Sequence, residues 1–333
     1  MRNAYIKSVG AFAPSRVVPN SYFNEILRED VDTWLRENLT IRERRWCSEN
    51  ESTADLCVEA AKAALSRAAL EAAEIDLIII ATDTPEFISP STASVVQHRL
   101  GAKNAGTFDL NTACAGFVTA VDVASKFIIA DENYTNVLVV GAYAMSKYLD
   151  LHDKKTVTLF ADGAGAVVMS AENSSGSKGY VTSKLMTEGE YSGWMGIYGG
   201  GTKFPLTEAN VREKEHLLKF VKKFPKELNP EKWSGIIREM TERKGLSTTQ
   251  IAHFIFTQIN INSIRATLDI LGEPWEKAPA IMDRYAYTGS ACIPMALNDL
   301  YEKGKLEDDQ LIVMMGSGGG LAYAGAIFRW KSK

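Results

Sequence analysis

Two stretches of this chain, about 174 residues apart, carry the same signals in the same order, and this repetition constrains the fold more than any other feature. Phe108-Asp109 closes a short apolar run, a helical segment follows, and residues 138–141 read as a buried strand. Met282-Asp283 closes a second run, again followed by a helical segment and a strand at 312–316. Each half then ends on a Gly-Ala strand, at 163–169 and 320–328. A period of this length is too long for a solenoid and predicts a duplicated domain rather than an array. The halves are expected at residues 1–172 and 173–333.

Between the landmarks, short apolar runs alternate with longer helical patterns. Ile75-Asp-Leu-Ile-Ile-Ile-Ala81 and Thr135-Asn-Val-Leu-Val-Val-Gly141 are continuous apolar strands, as a sheet covered on both faces requires. His253-Phe-Ile-Phe-Thr257 and Gln310-Leu-Ile-Val-Met-Met-Gly316 read the same way, and helices are predicted over 53–70 and 290–303. The alternation predicts an α/β fold with a largely parallel sheet. The stretch near 187–244, rich in Gly, Lys and Glu, interrupts the pattern and is expected to be an insertion over one edge. Within it Lys219, Lys222, Lys223 and Lys226 read as a solvated helix face, with docking of an acidic carrier protein as the alternative.

Charge and cysteine usage narrow the function. A formal net charge of −4 leaves no strong positive field, so general nucleic-acid binding is excluded. Cys47, Cys57, Cys114 and Cys292 lie far apart, with no CxxC pair and no metal-ligand spacing, so free thiols and no metal are expected. The first residues lack a signal-type apolar run, and no stretch approaches the ~20 apolar residues of a membrane span. A cytoplasmic protein without membrane contact is the expectation.

The chemistry concentrates at Cys114. In Gly106-Thr-Phe-Asp-Leu-Asn-Thr-Ala-Cys-Ala-Gly-Phe117 a short strand runs into a turn at Asn111-Thr112, and a small, apolar helix begins near Cys114. A thiol at a helix N-terminus meets the positive end of the dipole and unpaired N–H groups, which lower its pKa toward a reactive thiolate. Ala115 and Gly116 leave room for a thioester. A buried structural thiol is the usual alternative for a lone cysteine. The strand–turn–Cys–helix setting favours a nucleophile.

Here the chain resembles the β-ketoacyl-acyl-carrier-protein synthase III family of thiolase-fold enzymes. Asp32-Thr-Trp34 with Ile41-Arg-Glu-Arg-Arg45, Asn111-Thr-Ala-Cys-Ala-Gly-Phe117 and Phe160-Ala-Asp-Gly-Ala-Gly-Ala166 are similar to three of its blocks. Gln258-Ile-Asn260, Asp283-Arg-Tyr285 and Gly316-Ser-Gly-Gly-Gly-Leu321 are similar to three more, in order along nearly the whole chain. The resemblance implies a homodimer of duplicated, five-layered α/β/α/β/α subunits with mixed, mainly parallel sheets. It implies no cofactor beyond a CoA thioester substrate. Cys114 would take an acyl group from acyl-CoA, and a malonyl thioester on an acyl carrier protein would decarboxylate and attack it. The backbone N–H groups of Cys114 and Gly319 would form the oxyanion hole. Trp34 stands where the family stacks a tryptophan on adenine, and Lys154 where an arginine covers the other face. Ser89 falls where a bulkier side chain of the partner subunit caps the acyl pocket, which implies a longer or wider acyl group. Asn260 is the motif asparagine that helps bind substrate.

Two departures matter. The family's His-Gln-Ala-Asn motif reads Thr257-Gln258-Ile259-Asn260, and its Gly-Asn-Thr motif reads Ala286-Tyr287-Thr288. Thr257 and Tyr287 therefore replace the catalytic histidine and asparagine that donate to the malonyl thioester oxygen. A threonine hydroxyl can donate but cannot act as a base near neutral pH. Losing one donor typically costs ~3–4 kcal/mol, so losing both should cripple decarboxylative condensation. Among other candidates, His253 reads as a histidine at the start of a strand, and Glu86 as a solvent-facing loop carboxylate.

Three readings follow. The first is an acyltransferase that loads Cys114 and passes the acyl group on without its own decarboxylation. The second is the ordinary condensation with malonyl-carrier in fatty-acid or polyketide synthesis, using Thr257 and Tyr287 as unusual donors. The third is a non-condensing partner subunit of a heteromeric synthase, which the intact Cys114 setting disfavours.

Overall fold

In a computed structural model that describes residues 2–173 and 178–332, the long apolar runs form two sheets. The first holds β1 (Asn3–Phe12), β2 (Leu77–Ala81), β3 (Gly106–Leu110), β4 (Asn136–Ala144) and β5 (Asp162–Glu172), in the order β1-β5-β4-β2-β3. The second holds β6 (Gly179–Thr187), β7 (Ile251–Phe256), β8 (Leu311–Gly318) and β9 (Ala322–Arg329), in the order β7-β8-β9-β6. The sheets are mixed. Parallel pairing is confined to β2/β3, β2/β4 and β7/β8, whereas β1/β5, β4/β5, β8/β9 and β6/β9 are antiparallel. The parallel majority expected from the sequence is therefore absent, because each Gly-Ala strand returns as a hairpin-like neighbour of the strand before it.

Helices fill the space around the sheets in layers. On the outer face of the first sheet lie α1 (Thr53–Ala68) and α2 (Thr92–Leu100). Between the sheets lie α3 (Gly116–Ala130) and α6 (Cys292–Glu302). On the far side α4 (Leu228–Arg243) packs on the second sheet, with α5 (Ile261–Leu271) beside it. A helix between two sheets has little solvent face, which is why α3 is apolar along most of its length, with the Asp122–Lys126 pair near its exposed end. The stretch Ala113–Ala130 has the length and hydropathy of a membrane span, but it is this buried central helix. The alanines of α1 let it approach β1 closely. A Cβ at Gly10 would stand 2.5 Å from the Ala60 carbonyl oxygen, so only glycine fits there.

Two expectations fail. Met282-Asp283 does not close a strand. Met282–Tyr285 is a short helical turn, and among the described residues the second sheet has no counterpart of β3. The stretch 187–244 is not one insertion, because its last part is α4. Trp233, Ile236, Ile237 and Met240, spaced as one helix face, are buried against the second sheet. What remains, up to about residue 227, carries a two-stranded ladder of Met195–Gly196 and Lys219–Phe220 and a short helix, Glu208–Arg212. The four lysines are not on a helix. Lys219 is in the ladder, paired with Glu215, and Lys222 sits 4.0 Å from the centre of the Trp194 ring.

Candidate active site

The site is built where β3 turns into α3. The Asn111 side chain accepts the Ala113 N–H at 2.9 Å and tightens the turn, and the Thr112 and Thr119 hydroxyls meet at 3.0 Å. Ala113 is forced to φ +46°, a left-handed conformation that alanine adopts only under constraint. Cys114 follows, one residue before the helix cap Ala115, and is only 2 % exposed. The end of β8 lies directly against it. A Cβ at Gly318 would stand 2.5 Å from the Cys114 nitrogen and 2.7 Å from the Thr112 carbonyl oxygen. Glycine at that position is what allows the loop carrying Gly319 to sit beside Cys114.

A cavity of about 760 Å³ reaches Cys114 from the surface. Its rim carries Trp34, Glu29, Lys154, Lys155, Lys223 and Lys226, and its walls are largely apolar, among them Leu35, Met195, Phe220, Phe224 and Leu321. Gly318, Gly319, Tyr287 and Asn260 also line it. Trp34 is 56 % exposed, free to receive a flat ring. The Lys154 ammonium is held by both Glu29 oxygens at 2.9 Å. Asn260 caps α5 by accepting the Asn262 N–H at 2.9 Å.

Tyr287 is fixed by backbone bonds to Leu159 and Ala161, and its ring lies 5.3 Å from Phe160 and 6.4 Å from Tyr143. Its hydroxyl acts on the Cys114 thiol in the direction that favours the charged form. Thr257 is placed differently from the expectation of a catalytic donor. It is wholly buried outside the cavity lining, and its hydroxyl accepts the Ser317 N–H at 3.0 Å. It ties the end of β7 to β8, against Ser317 at the cavity wall. Ser89 lies in an exposed loop, outside the cavity lining of the same chain.

The electrostatics at Cys114 also differ from expectation. Burial pushes the thiol well above its ordinary range, and the Asp83 carboxylate adds to this, while the Tyr287 hydrogen bond opposes it. The helix terminus alone does not overcome desolvation. Burial likewise raises the Tyr143 and Tyr287 hydroxyls, so both are protonated donors at neutral pH.

Sequence reasoning passed over Asp83, two residues beyond the end of β2, and weighed Glu86 instead. Glu86 is not solvent-facing. Its side chain accepts the Ala54 N–H and the Ser52 hydroxyl, both at 2.9 Å, and caps α1. The one usable signal for Asp83 was its place at the carboxyl end of an all-apolar parallel strand, where α/β sheets gather their sites. His253, as expected, sits away from the cavity lining, with Nε2 2.9 Å from the Lys305 carbonyl oxygen. Among the described residues no three His, Cys, Asp or Glu side chains converge as metal ligands.

The comparisons with known proteins agree with one another. The profile of 3-oxoacyl-[acyl-carrier-protein] synthase III matches residues 108–189, and that of its C-terminal part matches residues 241–330. The β-ketoacyl-[acyl-carrier-protein] synthase III of Aliarcobacter butzleri is 36% identical, with 98% of both chains covered. That of Staphylococcus haemolyticus is 35% identical over 98% of this chain and 99% of the other. The crystal structure of 3-oxoacyl-[acyl-carrier-protein] synthase III from Aquifex aeolicus superposes with a TM-score of 0.87 at 32% identity, covering 98% of this chain and 100% of that one. The priming β-ketosynthase of the R1128 polyketide pathway gives a TM-score of 0.87 at 26% identity, over 99% and 97%.

Proposed function

This chain belongs to the 3-oxoacyl-[acyl-carrier-protein] synthase III family of thiolase-fold transferases, and from that premise we propose that it loads an acyl group from acyl-CoA onto Cys114 and passes it to an acceptor without decarboxylating one itself. The observation that carries the reading is Cys114 at the inner end of the cavity, between the Gly318-Gly319 loop and the Tyr287 hydroxyl. A thioester carbonyl beside Cys114 would point its oxygen at the N–H groups of Cys114 and Gly319, the donors its developing negative charge needs. Trp34 and Lys154 would hold the nucleotide end at the rim. The chemistry requires a CoA thioester as substrate and no further cofactor.

The second half-reaction separates this chain from a decarboxylating synthase. Thr257 has its hydroxyl committed to Ser317, and the Tyr287 ring occupies the second donor position. Neither can supply a base, and the enolate of a malonyl thioester would meet one tyrosine donor at most. Ordinary condensation with malonyl-carrier is the second reading, favoured by what the relatives are named for. A homodimer is part of either reading, and the exposed Phe87 and Ile88 beside Ser89 are apolar surface that a second copy would cover.

The deciding experiment is intact-protein mass spectrometry after incubation with a series of acyl-CoAs, with and without malonyl-carrier. An adduct in the wild type that is absent from Cys114→Ala supports loading. No adduct, or one unchanged in Cys114→Ala, overturns it. An adduct cleared by malonyl-carrier with release of carbon dioxide establishes the second reading instead.

A further inference from the structure

The cavity that ends at Cys114 sorts its chemistry by depth. Its carboxylates and ammonium groups, on Glu29, Asp30, Lys154, Lys155, Lys223 and Lys226, all belong to exposed residues. Its buried lining consists of Cys114, Tyr287, Thr158, Ser263, Ser317, glycine and aliphatic side chains. Among the described residues no histidine lines it, and the Asp83 carboxylate lies outside the lining. Hydroxyls such as those of Thr158, Ser263 and Ser317 cannot act as bases near neutral pH. Burial raises the Tyr287 hydroxyl well above its ordinary range, so it stays protonated. The inner cavity holds no general base.

That lack restricts what can take an acyl group from Cys114. The residue is 2 % exposed, so an acceptor reaches it only at the end of a slender arm. A hydroxyl attacks a thioester when an adjacent base removes its proton, and none is available. An amine enters as its ammonium form near neutral pH and must shed a proton first. A thiol needs no such help, because about a few per cent of it is already thiolate at pH 7. Loading from CoA is itself an exchange between two sulfurs, and its reverse passes through the same tetrahedral intermediate. The rim also suits an anionic arm. Lys154 is paired with Glu29 and Lys226 with Glu227, but among the described residues Lys155 and Lys223 have no carboxylate at ion-pair distance.

Resting on the reading that Cys114 carries the acyl group, we propose that its acceptor is a thiol at the end of a phosphate-bearing arm like that of CoA. The chain is then a thioester-exchange enzyme that moves acyl groups between such thiols. The acceptor thiol loses its proton to solvent, and its sulfur forms a bond to the acyl carbonyl carbon. The tetrahedral oxyanion collapses and the bond to the Cys114 sulfur breaks. That sulfur leaves with its electron pair and takes up a proton from solvent. The products are the acyl thioester of the acceptor and the free Cys114 thiol.

The test loads Cys114 from acetyl-CoA, removes free CoA by gel filtration, and offers three acceptors of one shape. N-acetylcysteamine ends in a thiol, N-acetylethanolamine in a hydroxyl and N-acetylethylenediamine in an amine. Intact mass reads loss of the adduct, and the mass of the small product reads transfer. The thiol should clear the adduct roughly 10²-fold faster than either of the others, the least that a general base contributes. CoA and pantetheine-armed carrier protein, which both bear the phosphate, should be faster still at equal concentration. The faster of those two names the source of the arm. Both should also outrun their exchange with S-acetyl-N-acetylcysteine free in solution. Clearance by the hydroxyl or amine at the thiol's rate, no clearance by any thiol, or no excess over free exchange overturns the proposal. CoA and carrier no faster than N-acetylcysteamine overturns the phosphate-bearing arm. Failure of acetyl-CoA to leave an adduct counts against the loading reading alone. S-phenyl thioacetate then places the acetyl group, with Cys114→Ala as the blank, and the same acceptors decide.

Discussion

The Thr257 hydroxyl accepts the Ser317 N–H at 3.0 Å, in a spot where neither residue is open to solvent. The position at which the family carries its catalytic histidine is therefore a clamp between two parallel strands. Thr257→Val keeps the shape but leaves the Ser317 N–H unpaired, an expected loss of about 1–3 kcal/mol in stability. Chemical denaturation should show this loss, while acylation of Cys114 per folded molecule stays within a few-fold of wild type.

Gly318→Ala is expected to abolish loading. Its new Cβ would fall 2.5 Å from the Cys114 nitrogen and 2.7 Å from a backbone oxygen, and neither can swing away as a side chain could. The loop would lift off the nucleophile and misplace Gly319. Intact mass should show no acyl adduct, and the melting temperature should also fall.

Tyr287→Phe removes the hydroxyl that favours the charged form of the Cys114 thiol and keeps the ring against Phe160 and Tyr143. With that support gone, the thiol becomes harder to ionise. Acylation is expected to slow about tenfold, as one hydrogen bond to a developing charge contributes about 1.5 kcal/mol. The pH dependence of the rate should move upward.

Trp34→Ala and Lys154→Ala should each raise KM for acyl-CoA and leave kcat nearly unchanged, because both residues stand at the rim rather than at the sulfur. The tryptophan is expected to matter more. Lys154 already shares its charge with Glu29, so its loss should cost no more than a few-fold.

Asp83 gives stability a pH dependence with a definite sign. Its folded value, about 6, lies above the ordinary 3.8, so the folded state holds the proton more tightly than the unfolded chain. This group therefore destabilises the fold above about pH 6, and the penalty fades as pH falls through 6 toward 4. Asp83→Asn should raise the melting temperature near pH 7, by an amount corresponding to at most about 2–3 kcal/mol. The gain should vanish near pH 4, and melts at several pH values would show it.

Much of the architecture is legible without coordinates. The apolar runs that became β2, β4, β7 and β8 are continuous because both faces of each sheet are covered, and that requirement is written locally, residue by residue. The same holds for α3, whose small apolar residues reveal a helix buried over most of its length. The misread segments are those where local signals compete. Met282-Asp283 follows an apolar run and so reads as the end of a strand, yet it lies in a short helical turn outside both sheets. The face of α4 was present in the spacing of Trp233, Ile236, Ile237 and Met240, but the surrounding lysines and glutamates masked it.

At the site the division is sharper. The sequence by itself located Cys114, its strand–turn–helix setting, the glycine loop and Thr257 and Tyr287, because those depend on residues adjacent in the chain. Tertiary structure alone decided what those residues are free to do. Thr257 is spent on Ser317, 60 residues away, and Tyr287 reaches back to Cys114. Asp83 is left unpaired behind a thiol that burial has made hard to ionise. Hydrogen bonds and desolvation depend on which groups meet in space, and no pattern along the chain records that.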